Sequence, residues 1–115
     1  VVDAAMTDLL RPALYDAWQN IEVVNPVATA ARHYDIVGPV CETADVLGRE
    51  RLLALAPDSL LAIFGAGAYG FSMASQYNAR PRPAEILVDG DQAHVIRERE
   101  VLSDLWRGEH LLGPR

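Results

Sequence analysis

The sequence predicts a β-rich domain with short helices. Three features point that way. The apolar run Ser59–Phe64 is closed off by Pro57-Asp58 before it and Gly65 after it. Asp89-Gly90 lies between the apolar runs Glu85-Ile86-Leu87-Val88 and Ala93-His94-Val95-Ile96, a hairpin signal. Pro12, Gly48 and the run Arg80-Pro81-Arg82-Pro83 each weaken or stop a helix candidate.

Taken in order, Val1–Ala5 reads as the end of a strand. Thr7 or Asp8 can cap a short helical turn through Leu9-Leu10, kept short or broken by Pro12. Trp18–Val24 is a strand candidate with imperfect alternation, broken by Asn25-Pro26. Ala28–Arg32 is a connector, and His33–Cys41 is a strand interrupted at Gly38-Pro39. Thr43 and Asp45 precede Val46-Leu47 as capping types, which suggests a helical turn there, and Arg49–Leu55 is ambiguous. Ser59–Phe64 is a strand and Gly65-Ala66-Gly67 a turn. Ala68–Tyr77 fits a helix with Tyr69, Met73 and Tyr77 at i, i+4, i+8. After the hairpin at Asp89-Gly90, Glu100–Arg107 fits an amphipathic helix with Val101, Leu102, Leu105 and Trp106 on one face, ended by Gly108. The tail is expected to be loose.

A length of 115 residues, half of them apolar, fits one domain with a modest core. The net charge of -6 speaks against a nucleic-acid footprint. No apolar run is long enough to span a bilayer, and no basic-then-apolar segment reads as a signal peptide. A single cysteine cannot form an internal disulfide, and a cytoplasmic location is expected. All ten basic residues are arginine, so no residue can form a lysine Schiff base. The start at Val1-Val2-Asp3, without Met, is expected to be an edge within a larger sequence.

Five groups of residues could carry chemistry. Gly65-x-Gly67-x-x-Gly70 after a strand imitates a dinucleotide fingerprint, against a plain strand-to-helix turn. Cys41-Glu42 is either a buried thiol beside a solvated carboxylate or a thiol that gives a proton to a carbon. An unperturbed thiol, with a pKa of about 8.5, carries that proton at neutral pH. Neighbouring strand residues face opposite sides, so the two can share a site only if the chain bends. Arg11 and Tyr15 share a helix face at i, i+4 and could grip one carboxylate, or the arginine stem could merely pack on the ring. Tyr69, Met73 and Tyr77 could equally be a core stripe. Arg80 and Arg82 read as an anion site or, more commonly, a stiff exposed connector. His33, His94 and His110 lack metal-ligand spacing, and no metal site is expected.

Three segments in order resemble the C-terminal part of the diaminopimelate decarboxylase family, fold-type III pyridoxal-phosphate enzymes. They are Val2–Tyr15, Val37–Asp45 and Gly67–Asn78 continuing through Arg80-Pro81-Arg82-Pro83-Ala84-Glu85, so the resemblance spans about residues 1 to 107. It implies a Greek-key-like β-barrel or sandwich C-terminal domain over residues 1–115, normally paired with an N-terminal (β/α)8 barrel. That barrel would carry the Schiff-base lysine and the phosphate site. The implied reaction turns meso-2,6-diaminopimelate into L-lysine and carbon dioxide with pyridoxal 5'-phosphate. Cys41 matches the proton donor, and Arg11 and Tyr15 match contacts to a substrate carboxylate. Glu42 matches a contact to the distal, D-configured amino end, and Tyr69 a contact to cofactor and substrate. The cysteine and glutamate serve the partner subunit's site in this family, so a homodimer is implied, and the isolated chain is expected to be inactive. Ala44 stands where the family usually has Gly, and Gly65 where Asp is frequent, which touches local backbone geometry only. The alternatives are a related ornithine- or arginine-type decarboxylase, a dinucleotide-binding fragment, or a non-catalytic dimerisation module.

Overall fold

The computed structural model describes residues 1–114. Six short strands form three antiparallel pairs: β1 (Ile21–Val23) with β4 (Leu61–Ile63), β2 (Arg32–Val37) with β3 (Val46–Leu53), and β5 (Glu85–Asp89) with β6 (Gln92–Arg97). Two short helices, α1 (Arg11–Tyr15) and α2 (Gly70–Met73), and two 3-10 turns complete it. The domain is thus mainly sheet, as the sequence predicts. Among the described residues the strands form separate two-stranded ladders and no closed barrel.

The core is small. Leu9, Ile21, Ile36, Leu47 and Leu53 are buried together, with Val23, Tyr34, Leu61 and Ile63 packed around them. One buried residue or more comes from each of β1, β2 and β3, so the β1–β4 pair and the β2–β3 hairpin share this core. The β2–β3 ladder slips register twice, once on each side of Ile36. Bulges of this kind bend a hairpin and let it close over a neighbour. Gly48 is packed closely here: a Cβ would come within 2.8 Å of Ile21 Cδ1 and 2.7 Å of Arg51 Nε, so both side chains would have to shift.

Several expected elements differ. Residues 1–5 form no strand, although the Val2 amide donates to the Val37 carbonyl at 2.9 Å. The helix after Thr7 starts instead at Arg11, with Pro12 in its first turn, where a missing amide proton is tolerated. The Asp8 carboxylate accepts from the Ala5 amide and so closes the turn ahead of that helix. Trp18 lies outside β1, exposed, with the Arg51 guanidinium 4.5 Å from its ring centroid. Val46-Leu47 is not helical but opens β3, the longest strand. Pairing with β2 outweighs the local capping signal there, because it buries Leu47 completely.

The helix expected over Ala68–Tyr77 shrinks to four residues. Tyr69 takes a left-handed φ of 62° before it, and Ala74 is extended after it. The chain leaves the helix because the Ser75 amide donates to the Thr7 carbonyl at 3.0 Å. Tyr69, Met73 and Tyr77 therefore do not form one helical stripe. Glu100–Arg107 likewise narrows to a 3-10 turn, Leu102–Trp106, and Val101, Leu102 and Trp106 stay exposed. Gly108 ends it at φ 88°.

Arg80 and Arg82 are neither an anion site nor a free connector. Arg80 donates to the Asp3 carbonyl at 2.7 Å and lies 3.7 Å from the Asp8 carboxylate. Arg82 grips Glu100 through Nε (2.8 Å) and Nη2 (2.5 Å), and its amide donates to the same carboxylate at 2.8 Å. The Gln76 side chain adds a fourth donor at 3.0 Å. These bonds, the Arg82 fork first, hold the Glu100 carboxyl down at about 2 from an ordinary 4.5. The unfolded chain binds that proton near 4.5 and the folded chain only near 2, so this stabilisation is complete above pH 4.5 and drains away as pH falls towards 2. Thermal unfolding between pH 6 and 2.5 should show Glu100→Gln less stable at neutral pH but with a flatter acid limb. Parallel curves for the two proteins would mean the pair contributes nothing to folding.

Candidate functional site

The loop between β2 and β3 carries Cys41 and Glu42, and one buried carboxylate shapes it. Asp45 is 3% exposed. Its Oδ2 accepts from the Val40 amide at 2.7 Å, and its Oδ1 accepts from the Met6 amide at 2.6 Å. Its own backbone closes the loop at both ends: Gly38 donates to the Asp45 carbonyl, and the Asp45 amide donates to the Glu42 carbonyl. Gly38 is fixed by this arrangement, since a Cβ there would collide with the Asp45 carboxylate and lie 2.7 Å from the Ala4 carbonyl oxygen. The chain does bend between Gly38 and Asp45, as a shared role for Cys41 and Glu42 requires. Both side chains are exposed rather than one buried.

The Met6 anchor leads directly into α1. There the Arg11 guanidinium carbon lies 5.3 Å from the Tyr15 ring centroid and 5.5 Å from that of Tyr69. The i, i+4 spacing brings the first ring, and the left-handed turn at Tyr69 brings the second. A cation held between two phenols leaves its donor edge free for an anion. Tyr15 and Tyr69 are both more than half exposed, so the cluster opens to solvent.

The five expected site residues thus form two groups, Arg11–Tyr15–Tyr69 and Cys41–Glu42. Among the described residues no hydrogen bond joins the groups directly. Asp45 ties the segment ahead of α1, at Met6, to the Cys41 loop, at Val40, and Glu42 lines a cleft of about 410 Å³ together with Pro12 and Ala13 of α1. The larger cavity, about 1200 Å³, lies elsewhere, between the 55–61 loop and Pro83–Ile86, and touches none of the five. The sequence did not single out Asp45 or Tyr77 for this site. The Tyr77 hydroxyl donates to Glu42 Oε2 at 3.3 Å.

The glycine pattern at Gly65, Gly67 and Gly70 does not build a dinucleotide site. The strand before it is antiparallel, and a Cβ at any of the three would meet open space. Only Gly65, at φ 66°, uses glycine's freedom. Among the described residues no three metal-ligating side chains converge, and no helix is long and apolar enough to cross a membrane.

The family described as "Pyridoxal-dependent decarboxylase, C-terminal sheet domain" matches residues 1–67. The diaminopimelate decarboxylase of Pseudomonas aeruginosa is 57% identical over 112 residues, and that of Pseudomonas fluorescens 60%. Each match covers 97% of this chain and 27% of the relative, so the chain spans about a quarter of these relatives' length. The crystal structure of diaminopimelate decarboxylase from M. jannaschii superposes with a TM-score of 0.89 at 41% identity, covering 96% of this chain and 25% of that one. The Helicobacter pylori enzyme, solved in complex with L-lysine, gives a TM-score of 0.84 at 48% identity, covering 92% and 26%.

Asp45→Ala should destabilise the fold by about 2–6 kcal/mol, because it strands two amide donors that cost roughly 1–3 kcal/mol each when unpaired. Asp45→Asn should lose less, since one acceptor oxygen remains. Chemical denaturation measures both. An Ala variant within about 0.5 kcal/mol of the parent, the scatter of ordinary surface substitutions, would show that the carboxylate is not a structural anchor.

Proposed function

This chain belongs to the pyridoxal-dependent decarboxylases as a C-terminal sheet domain, and from that premise we propose that its protein is a diaminopimelate decarboxylase. It would convert meso-2,6-diaminopimelate to L-lysine and carbon dioxide as a step of lysine biosynthesis. The observation that carries the proposal is identity above one half, across nearly the whole chain, to enzymes of that name. The gathering of Arg11, Tyr15 and Tyr69 into one solvent-open cluster supports it.

The residues present fit part of a pyridoxal-phosphate site. The exposed Tyr69 phenol suits a contact to cofactor and substrate, while a Schiff-base lysine must come from elsewhere, because the chain has none. When bound, the cofactor supplies a ring that accepts the electron pair left by departing carbon dioxide. Arg11 and Tyr15 would hold a substrate carboxylate, the guanidinium by charge and the phenol by its hydroxyl. Glu42 would receive the distal ammonium. Cys41 would deliver the proton that replaces carbon dioxide on the α-carbon; its exposure leaves the thiol open to a reacting atom.

In this proposal residues 1–115 are the C-terminal β domain, an N-terminal barrel completes the chain, and two copies pair so that Cys41 and Glu42 serve the partner's site. The β5–β6 hairpin supports burial in a larger assembly. Every residue of β6 is exposed, including Ile96 and Val95, which lies opposite exposed Ile86, and Ala93, which lies opposite exposed Val88. The isolated chain would be inactive, and the assembled enzyme would work in the cytoplasm, where a lone exposed thiol stays reduced.

The test uses the full-length protein with added pyridoxal phosphate. Release of carbon dioxide and lysine from meso-diaminopimelate is expected, and faster turnover of ornithine or arginine would overturn the substrate assignment. In that protein Cys41→Ala should lower kcat by roughly 10²–10⁴-fold, the range for loss of a general acid. An unchanged kcat would remove Cys41 from the proton transfer.

A further inference from the structure

Among the described residues Tyr77 is the one aromatic residue whose hydroxyl donates to a residue of the candidate site, and it has no role in the proposed reaction. Its bond to Glu42 Oε2, at 3.3 Å, spans 35 positions of sequence. The backbone beside it is strained. Asn78 and Ala79 follow in succession with φ of 56° and 55°. Left-handed alanine is uncommon, and such strain persists where the surroundings over-determine it.

Those surroundings pin Tyr77 from both sides. On one side the Gln76 amide group donates to Glu100, and the Ser75 amide donates to the Thr7 carbonyl. On the other, Arg80 is tied to the Asp3 carbonyl and to Asp8. The Tyr77 backbone is therefore held by bonds that do not involve Glu42, and its half-exposed ring reaches Glu42 from that fixed point.

Glu42 has the opposite problem. It is exposed on a loop, and its Oε1 has only a long bond from the Ala44 amide, 3.4 Å. A free glutamate samples many rotamers and loses that freedom when it pairs with a cation. A fixed phenol on Oε2 removes part of the loss beforehand. It leaves the remaining lone pairs for an ammonium, which offers three donors.

We propose that Tyr77 is a positioning residue that orients Glu42, and through it sets the selection of substrates by their distal amino end. This rests on the ammonium-binding role of Glu42 given above. The stereochemistry of that end would be read by where the carboxylate is held, not only by its charge.

The experiment is a double-mutant cycle in the full-length holoenzyme: Tyr77→Phe, Glu42→Gln and the pair. KM and kcat are measured for meso-diaminopimelate, and the kcat/KM ratio for the meso over the L,L isomer. Tyr77→Phe keeps the ring and removes the hydroxyl. It should raise KM roughly tenfold, lower kcat by less, and narrow the isomer ratio, the pattern of lost binding orientation. The unfolding midpoint should stay put, which separates positioning from folding. In the pair, Tyr77→Phe should add nothing to Glu42→Gln. Additive effects, or an unchanged KM in Tyr77→Phe beside an impaired Glu42→Gln, would overturn the positioning role alone. An intact isomer ratio in Glu42→Gln would overturn it together with the role of Glu42, and absence of decarboxylation in the parent protein would overturn both with the enzyme assignment.

Discussion

The buried Asp45 carboxylate accepts one hydrogen bond from a backbone amide of the N-terminal segment and one from an amide of the β2–β3 loop. That double acceptance by Asp45 places the loop that carries Cys41 and Glu42 and ties it to the segment leading into α1. A buried carboxylate is tolerated only when its lone pairs are used, and here two short bonds to backbone amides use them. The glycine at position 38 exists to admit it. Val46 follows at once and starts β3, so the same residue fixes where the longest strand begins. Cys41 and Glu42 thus ride on a loop whose base is rigid and whose tip is open.

Arginine does the remaining structural work in a chain without lysine. Its planar group can stack and donate at once, which an ammonium cannot. Arg11 lies near two phenols, Arg51 over Trp18, and Phe71 has Arg97 at 4.1 Å and Arg82 at 5.3 Å from its ring centroid. Phe71 belongs to α2, directly after Tyr69 and Gly70, so the Arg82–Glu100 pair also steadies the turn that presents Tyr69. A four-residue helix has almost no stability of its own. Its position comes from these side-chain contacts.

The cluster and the loop both face open solvent. Chemistry that stabilises a carbanion needs water kept away, and neither group has walls to do so. In the proposed enzyme the walls would belong to an N-terminal barrel and to a second subunit. Holding the reactive side chains on a rigid sheet scaffold, with their approach face left free, suits a domain that completes a site rather than contains one.

The hairpin at Asp89-Gly90, the turn at Gly65 and the bend at Gly38-Pro39 were legible from the sequence, because each rests on one residue's backbone limits, whereas the helix expected to run up to Arg80–Pro83 ends already at Met73. The order of the three motifs likewise identified the family. The pairing of Arg11 with Tyr15 was legible too, since i, i+4 spacing survives even in a five-residue helix. What local signals could not give was any outcome decided by distant partners. Val46-Leu47 reads as a capped helix until β2 lies beside it. Tyr77 reads as a core stripe until Ser75 bonds Thr7 and the helix breaks. Asp45 reads as a helix cap, a role that needs an acceptor for neighbouring amides; the structure uses the same acceptor, but one of the amides belongs to Met6. The sequence by itself determined which groups can donate, accept or bend. Only the tertiary structure decided which of them meet, because a hydrogen bond across 39 positions leaves no trace in local spacing.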